Sequence, residues 1–152
     1  MKLYVLRHGD APFTGAHGER ALSQKGVAAT RQIVVNRLEA LKNVQHIVCS
    51  PLLRARQTME VVVAELGNPS LRVSFNDCLK TEGTLDALAS FLSRCPEQDT
   101  LLVSHQPLVG RLVNYLADQE GLGYRMGTSC LAAFDLIAFA RGGGTLEWLD
   151  TV

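Results

Sequence analysis

Four residues of this sequence have the types and positions best suited to chemistry: His8, Arg7, Arg54 and His105. Each comes directly or within a few residues after a short apolar run that is typical of a buried strand. The carboxyl ends of parallel strands lie at one edge of a sheet, where ligands bind in open α/β folds. We therefore expect these four side chains to share one pocket.

The chemistry that such a pocket favours is that of phosphate. Guanidinium groups such as those of Arg7 and Arg54 match phosphate oxygens bidentately, and no acidic cluster stands near them in the sequence. Helices that begin after Ser50 and after His105 would aim their free N–H groups at the same rim. A neutral imidazole, such as that of His8, can act as a nucleophile and form a covalent intermediate. The pattern predicts a site that binds a dianion and transfers a phosphoryl group.

The elements that must position this pocket alternate between strands and helices, which predicts an α/β fold. Ser23 is expected to cap a helix with the apolar stripe Val27, Val34, Leu38 and Leu41, and Ser50-Pro51 to open another that ends at Gly67. Further helices are expected over 84–92 and 107–116, and strands over 3–6, 46–49, 71–75, 100–104, 131–139 and 145–149. We predict one domain over residues 1–152, a three-layer α/β/α arrangement with a mostly parallel central sheet and an antiparallel C-terminal edge hairpin.

Composition narrows the class of protein further. The chain has 152 residues, of which 47% are hydrophobic and 20% charged, with 15 Lys and Arg against 15 Asp and Glu. A balanced charge gives no general attraction to nucleic acid or to an anionic membrane, so we expect neither as a partner. The first apolar run is too short for a signal peptide. The four cysteines form no C-x-x-C pair, so we expect free thiols, which fits a cytoplasmic location. We further expect a monomer.

Four motifs, in this order along the chain, resemble those of the histidine phosphatase superfamily. They are Arg7-His8-Gly9; Leu22-Ser23 with Gly26; Ser50-Pro51 with Arg54-Ala55 and Gln57-Thr58; and Ser104-His105 with Pro107 and Gly110. The short chain is most similar to the members that dephosphorylate phosphohistidine. The resemblance implies a phosphoglycerate mutase-like fold, with His8 as the nucleophile that becomes phosphorylated. It implies that Arg7, Arg54 and His105 are the remaining members of the phosphate pocket.

One departure from the resemblance concerns the general acid. Members that cleave phosphoesters carry an acidic proton donor in an inserted segment, whereas the corresponding stretch here is short and offers Asp77, Glu82 and Asp86. Glu82 is the best placed of the three, although no motif identifies it. A P–N bond to imidazole is labile, so its cleavage depends less on a dedicated acid. A short chain without a capping insertion would also leave the pocket open to another protein.

The predicted function is a phosphohistidine phosphatase without metal or cofactor. Its partner would be a phosphohistidine-bearing protein, either a histidine-containing phosphotransfer domain or a phosphocarrier. The alternatives are a general small phosphomonoesterase that uses Glu82 as acid, and a catalytically weak module that binds a phospho-ligand. Of the other histidines, His46 is expected to be partly exposed and without a role, and His17 to lie in a loop that could border the pocket.

Overall fold

A six-stranded sheet organises the chain in the computed structural model, which describes residues 1–14, 19–119 and 123–152. The strands are β1 (Lys2–Arg7), β2 (His46–Cys49), β3 (Arg72–Phe75), β4 (Thr100–Ser104), β5 (Leu131–Leu136) and β6 (Gly144–Asp150). The helices are α1 (Gln24–Asn36), α2 (Leu38–Leu41), α3 (Leu53–Leu66), α4 (Leu85–Ser93) and α5 (Leu108–Leu116), with a 3-10 turn at Asp77–Leu79.

The strand order is β3-β2-β4-β1-β5-β6. The four strands from β3 to β1 are parallel to one another, while β5 runs antiparallel to β1 and β6 antiparallel to β5. The mostly parallel sheet with an antiparallel hairpin at its C-terminal edge is therefore confirmed. None of the helices in the described residues is long and apolar enough to cross a membrane.

Both faces of the sheet are covered, because alternate residues of the central strands point to opposite sides. Leu3 and Val5 of β1 pack with Leu88 of α4 and Leu112 of α5. Tyr4 and Leu6 of the same strand belong to a second core. Its helical members are Ile33 and Val34 of α1, Leu41 of α2, and Ala55, Met59 and Val62 of α3. The expected three-layer α/β/α arrangement is confirmed.

The register of the parallel strands aligns the residues that follow them. Arg7 lies opposite Ser104, and Cys49 lies opposite Val103. The next residues of the three central strands, among them His8 and His105, therefore leave the sheet at one edge.

Two details of the helices differ from the sequence-based expectation. The expected single helix with a stripe from Val27 to Leu41 is wrong in part, because the helix is interrupted at Arg37 between α1 and α2. Val34 and Leu41 are buried as expected, but Leu38 is 37% exposed. The buried residues of α1 are Gly26, Thr30, Ile33 and Val34. Gly26 lies so close to the backbone of Asp10 that a Cβ would clash with it.

The helix α3 does not begin at Ser50-Pro51. Leu52 is its N-cap and makes no side-chain capping bond. The N–H of Leu53 donates to the carboxylate of Glu19 at 3.3 Å, so a side chain of the protein already occupies this helix N-terminus. The expected left-handed end of the helix at Gly67 is present, with φ of 57°.

Candidate active site

Two buried histidines lie side by side at the carboxyl edge of the sheet. His8 is 4% exposed and His105 1% exposed, and their ring centroids are 5.0 Å apart. The backbone holds this arrangement, because the N–H of His8 donates to the carbonyl of Ser104 at 3.0 Å and the N–H of Ser129 donates to the carbonyl of His8 at 3.1 Å. The residues that place His8 thus belong to β4 and to the segment before β5.

The His8 ring has a defined donor and a free lone pair. Its Nδ1 lies 2.7 Å from the Gly9 carbonyl oxygen, which can only accept, so Nδ1 carries the proton and donates. The other ring nitrogen, Nε2, is then unprotonated in the neutral ring. Burial, together with the positive charges of Arg54 and Arg7, lowers the pKa of His8 to about 4. At neutral pH, His8 is therefore a neutral imidazole whose Nε2 can attack an electrophile.

His105 has one ring nitrogen bonded and one free. Its Nε2 lies 2.6 Å from the hydroxyl oxygen of Ser50, whereas its Nδ1 is buried and has no hydrogen-bond partner in the described part of the chain. Burial, together with the neighbouring His8 and Arg54, lowers the pKa of His105 to about 3. His105 is therefore also neutral at physiological pH.

A backbone carbonyl of the segment before β5 orients Arg7. The Nη1 of Arg7 donates to the Met126 carbonyl at 3.1 Å, and the Nε2 of Gln106 donates to the same oxygen at 3.0 Å. The oxygen of Gln106 accepts from the N–H of Gly110, so this side chain connects α5 to the Met126 carbonyl. Two donors on one acceptor fix the position of the guanidinium without using its Nε.

The hydroxyl of Thr58 connects Arg54 to the turn after β1. It donates to the Arg54 carbonyl at 2.8 Å and accepts from the N–H of Gly9 at 3.0 Å. Gly9 must be small, because a Cβ there would lie 2.9 Å from both the Gly26 carbonyl oxygen and the Thr30 hydroxyl. The close contact brings the first turn of α3, with Arg54, against the residues that follow β1.

Three of the four predicted residues share one further property, which is a buried side-chain nitrogen without a hydrogen-bond partner. The Nε atoms of Arg7 and Arg54 and the Nδ1 of His105 are buried without a hydrogen-bond partner. Only one other side-chain atom among the described residues is in this condition, the Nε2 of Gln98. Unpaired buried donors are unfavourable, so their concentration at one place indicates a site for a ligand with several acceptor oxygens.

Sequence reasoning missed one cation at this site, Arg20. Its positive charge contributes to lowering the pKa of His8, His105, Arg7 and Arg54, so all four lie within range of its field. The segment that carries it lies along α3, since the N–H of Leu22 donates to the side chain of Gln57 at 2.7 Å. The available signal was its place two residues before the Leu22-Ser23 motif.

No hydrogen bond or ion pair among the described residues joins the predicted acid Glu82 to this charge cluster. Glu82 is exposed and accepts a hydrogen bond from the hydroxyl of Thr81 at 2.9 Å. Its own backbone N–H and that hydroxyl lower its pKa, which favours the charged form at neutral pH. The Glu19 carboxylate does act on a pocket residue. Its negative charge raises the pKa of Arg54 and so offsets part of the lowering that burial causes. Among the described residues, Glu82 is not one of the charges that shift the pKa of the four predicted residues.

The structure tests the expectation for only one of the two remaining histidines. His46 is 3% exposed, so the expectation of partial exposure is wrong; its ring is enclosed because Ser74 and Arg72 hydrogen-bond to its two nitrogens. His17 lies outside the described residues. No group of three or more His, Cys, Asp or Glu side chains in residues 1–14, 19–119 and 123–152 is arranged to hold a metal ion.

Comparison with known proteins gives the family. The model of the histidine phosphatase superfamily, branch 1, matches residues 3–80. The phosphohistidine phosphatase SixA of Escherichia coli K12 is 31% identical over 97% of this chain and 92% of its own. An uncharacterised protein of Picosynechococcus sp. is 36% identical over 77% of this chain and 73% of its own.

The fold agrees with that match over nearly the whole length. The structure of the protein histidine phosphatase SixA complexed with tungstate superposes with a TM-score of 0.83 at 30% identity, covering 99% of this chain and 97% of that one. The phosphoglycerate mutase-like fold expected from the sequence is confirmed. Together, the family model, the full-length relative and the shared fold show that this chain belongs to the histidine phosphatase superfamily and is one of its phosphatases.

Proposed function

We propose that this protein is a phosphohistidine phosphatase, which removes phosphate from a histidine of a signalling or phosphocarrier protein through a covalent phospho-His8 intermediate. The observation that carries the proposal is the set of three unused buried donors, on Arg7, Arg54 and His105, beside a histidine whose Nε2 is free. A phosphoryl group has the acceptor oxygens that these donors lack, and the donors would stabilise its charge in the transition state.

The proposed reaction has two steps. In the first, the lone pair of His8 Nε2 attacks phosphorus in line, and the P–N bond of the substrate breaks with its electron pair passing to the substrate imidazole. A proton from solvent neutralises that leaving group. In the second step, water attacks the phosphorus of phospho-His8, which releases inorganic phosphate and restores neutral His8. Neither step uses a metal or a cofactor.

The placement of the carboxylates supports a P–N bond rather than an alkyl ester as the substrate. An alkoxide is a poor leaving group and needs a general acid, which typically contributes about 10²–10⁴-fold. Glu82 is exposed and is bonded to Thr81, and Glu19 is bonded to the N–H of Leu53 and paired with Arg56 at 3.8 Å. The similarity to SixA over the full chain points to the same substrate class.

A panel of substrates tests this proposal. The measurement is kcat/KM for a phosphohistidine protein, phosphoserine, a sugar phosphate and an aryl phosphate. We expect efficient turnover of phosphohistidine, slow turnover of the aryl phosphate and feeble turnover of the two alkyl esters. Efficient hydrolysis of alkyl esters would favour a general phosphomonoesterase. Tight binding of phosphohistidine without turnover would favour a module that only binds.

A further inference from the structure

Ser50 is a buried polar residue to which the proposed reaction gives no part. It follows β2 directly, and none of its surface is exposed. Its hydroxyl oxygen has two neighbours among the described residues. One is the N–H of Leu52, which donates to it at 3.3 Å, and the other is Nε2 of His105 at 2.6 Å. The second contact is the shorter and links Ser50 to the pocket.

Counting donors and acceptors decides the direction of this contact. A serine hydroxyl has one hydrogen to donate and two lone pairs to accept with. The Leu52 N–H uses one lone pair, so the hydrogen still needs an acceptor. Nε2 of His105 is the acceptor within reach in the described part of the chain. If Nε2 carried a proton instead, the buried hydroxyl hydrogen would have no partner, which is unfavourable.

The other ring nitrogen of His105, Nδ1, supports the same direction for this hydrogen bond. When Nε2 accepts, the neutral imidazole carries its hydrogen on Nδ1, and Nδ1 is a donor. That atom is buried and unpartnered, like the Nε atoms of Arg7 and Arg54. The His105 ring is 5.0 Å from the ring of His8, so the space beside His8 is where a phosphoryl group would lie. In the other tautomer, Nδ1 would be an acceptor and would repel a phosphoryl oxygen.

We propose that Ser50 is a positioning residue which, by donating its hydroxyl hydrogen to Nε2 of His105, holds that ring in the tautomer whose Nδ1–H donates to a phosphoryl oxygen. The proposal rests on the proposed function, because it assigns the Nδ1–H to the same phosphoryl group. It makes His105 a fixed donor that keeps its proton throughout the reaction. The serine acts on the substrate only through His105.

The tautomer of His105 is measurable without any turnover. The chain has four histidines, so ¹⁵N-histidine labelling gives few signals, and His105→Asn identifies the pair that belongs to His105. In the wild-type protein at pH 7, we expect the Nε2 signal at an unprotonated position and the Nδ1 signal at a protonated one. The reverse assignment in the wild type would overturn the proposal, whatever the variants do.

A matched pair of serine variants separates this role from a structural one. Ser50→Ala removes the donor, so we expect the His105 signals to move toward a mixture of the two tautomers. Ser104→Ala removes the hydroxyl of another buried serine at a strand end, but that hydroxyl donates to the Leu79 carbonyl at 2.6 Å. We therefore expect Ser104→Ala to keep the wild-type tautomer. An unchanged tautomer in Ser50→Ala would contradict the proposal.

Kinetics then show whether the tautomer matters for the reaction. In Ser50→Ala, we expect kcat on phosphohistidine and the affinity for vanadate to fall together, by about tenfold, which is less than the 10²–10³-fold typical of losing a transition-state donor completely. Wild-type values in a variant with mixed tautomers would remove Ser50 from the catalytic account. A wild-type protein with the expected tautomer but no phosphatase activity would refute the proposed function. The hydrogen bond from Ser50 to His105 would remain supported in that case.

Discussion

Buried histidines lie at both ends of the parallel strands, and their surroundings differ. His46 stands at the amino end, where Nδ1 accepts from the guanidinium of Arg72 at 3.1 Å and Nε2 donates to the hydroxyl of Ser74 at 2.6 Å. His105 stands at the carboxyl end and leaves Nδ1 unpartnered. A histidine whose two nitrogens are both bonded within the protein has no unpaired nitrogen to offer a ligand. A histidine with an unused buried nitrogen can bind a ligand.

A cavity at the amino end of the parallel strands extends this comparison. The amino end has an apolar cavity of about 500 Å³ with Met1, Leu92 and Phe139 in its lining. It is roomy but brings together few polar groups, whereas the carboxyl edge concentrates the unused donors of Arg7, Arg54 and His105. Unsatisfied hydrogen-bonding capacity, rather than volume, therefore identifies the site in this molecule.

The largest expected effect distinguishes a histidine at the carboxyl end of the parallel strands from one at the amino end. His8→Ala removes the proposed nucleophile, so we expect kcat on phosphohistidine to fall by about 10⁴-fold or more, while the variant stays folded. His46→Ala leaves Arg72 and Ser74 without their partner. It should cost about 1–3 kcal/mol of unfolding free energy and keep kcat near wild type. Denaturant titration and steady-state kinetics of both variants give the comparison. Wild-type turnover by His8→Ala would exclude His8 as nucleophile.

The next effect concerns two arginines of the same helix turn. Arg54→Ala removes a buried donor of the pocket, and we expect kcat/KM to fall by about 10²–10³-fold. Arg56, two residues further on, has a side chain that is 45% exposed and pairs with Glu19. Arg56→Ala should change kcat/KM by less than about threefold, because an exposed ion pair contributes little. Equal losses in the two variants would show that charge near α3 matters, and not the position of Arg54.

The acidity of His8 is a third test, made by NMR titration of its ring. Because burial and the neighbouring cations lower the pKa of His8 to about 4, the ring should stay neutral at pH 5.5. Arg20→Ala removes one of these cations, so the pKa of His8 should rise and protonation should begin at higher pH. The same variant should bind vanadate about tenfold more weakly, in line with the loss of one charge contact. A His8 pKa near 6.5 in the wild type would contradict the buried, cation-surrounded site.

The smallest expected effect is that of Glu82→Gln. We expect its turnover of phosphohistidine to fall by less than about tenfold, which is below the usual range for a general acid. Glu82 is exposed and bonded to Thr81, and among the described residues it makes no hydrogen bond to Arg7, His8, Arg54 or His105. The measurement is kcat/KM on phosphohistidine and aryl phosphate for the wild type and the variant. A loss of several hundredfold on phosphohistidine would restore Glu82 as the acid.

The parts of this structure that the sequence predicts are those with a local cause. The short apolar runs before His8, Ser50 and His105 form the parallel strands, and the cap at Ser23 and the left-handed turn at Gly67 are local signals too. Parallel pairing then brings the residues after β1, β2 and β4 to one edge, which is why His8 and His105 could be expected to meet.

The parts that the sequence does not predict depend on contacts between distant segments. Serine is a common helix cap, but the hydroxyl of Ser50 forms a hydrogen bond with His105, which lies 55 positions away in the chain. His46 looks like an exposed strand start until Arg72 and Ser74 enclose it. Arg20 brings its charge within range of the pocket residues because its segment lies along α3. The partners of Ser50 and His46 cannot be inferred from neighbours in the chain.

A crystal structure with tungstate or vanadate tests the central claim most directly. The account predicts the oxyanion between His8 and His105, on the Nε2 side of His8. Its oxygens should lie about 2.7–2.9 Å from nitrogen atoms of Arg7 and Arg54, the usual length of charge-assisted hydrogen bonds. They should also accept from Nδ1 of His105, so that the buried unpartnered donors of the pocket are satisfied together. An oxyanion bound only elsewhere, with these four side chains turned away from it, would contradict the account.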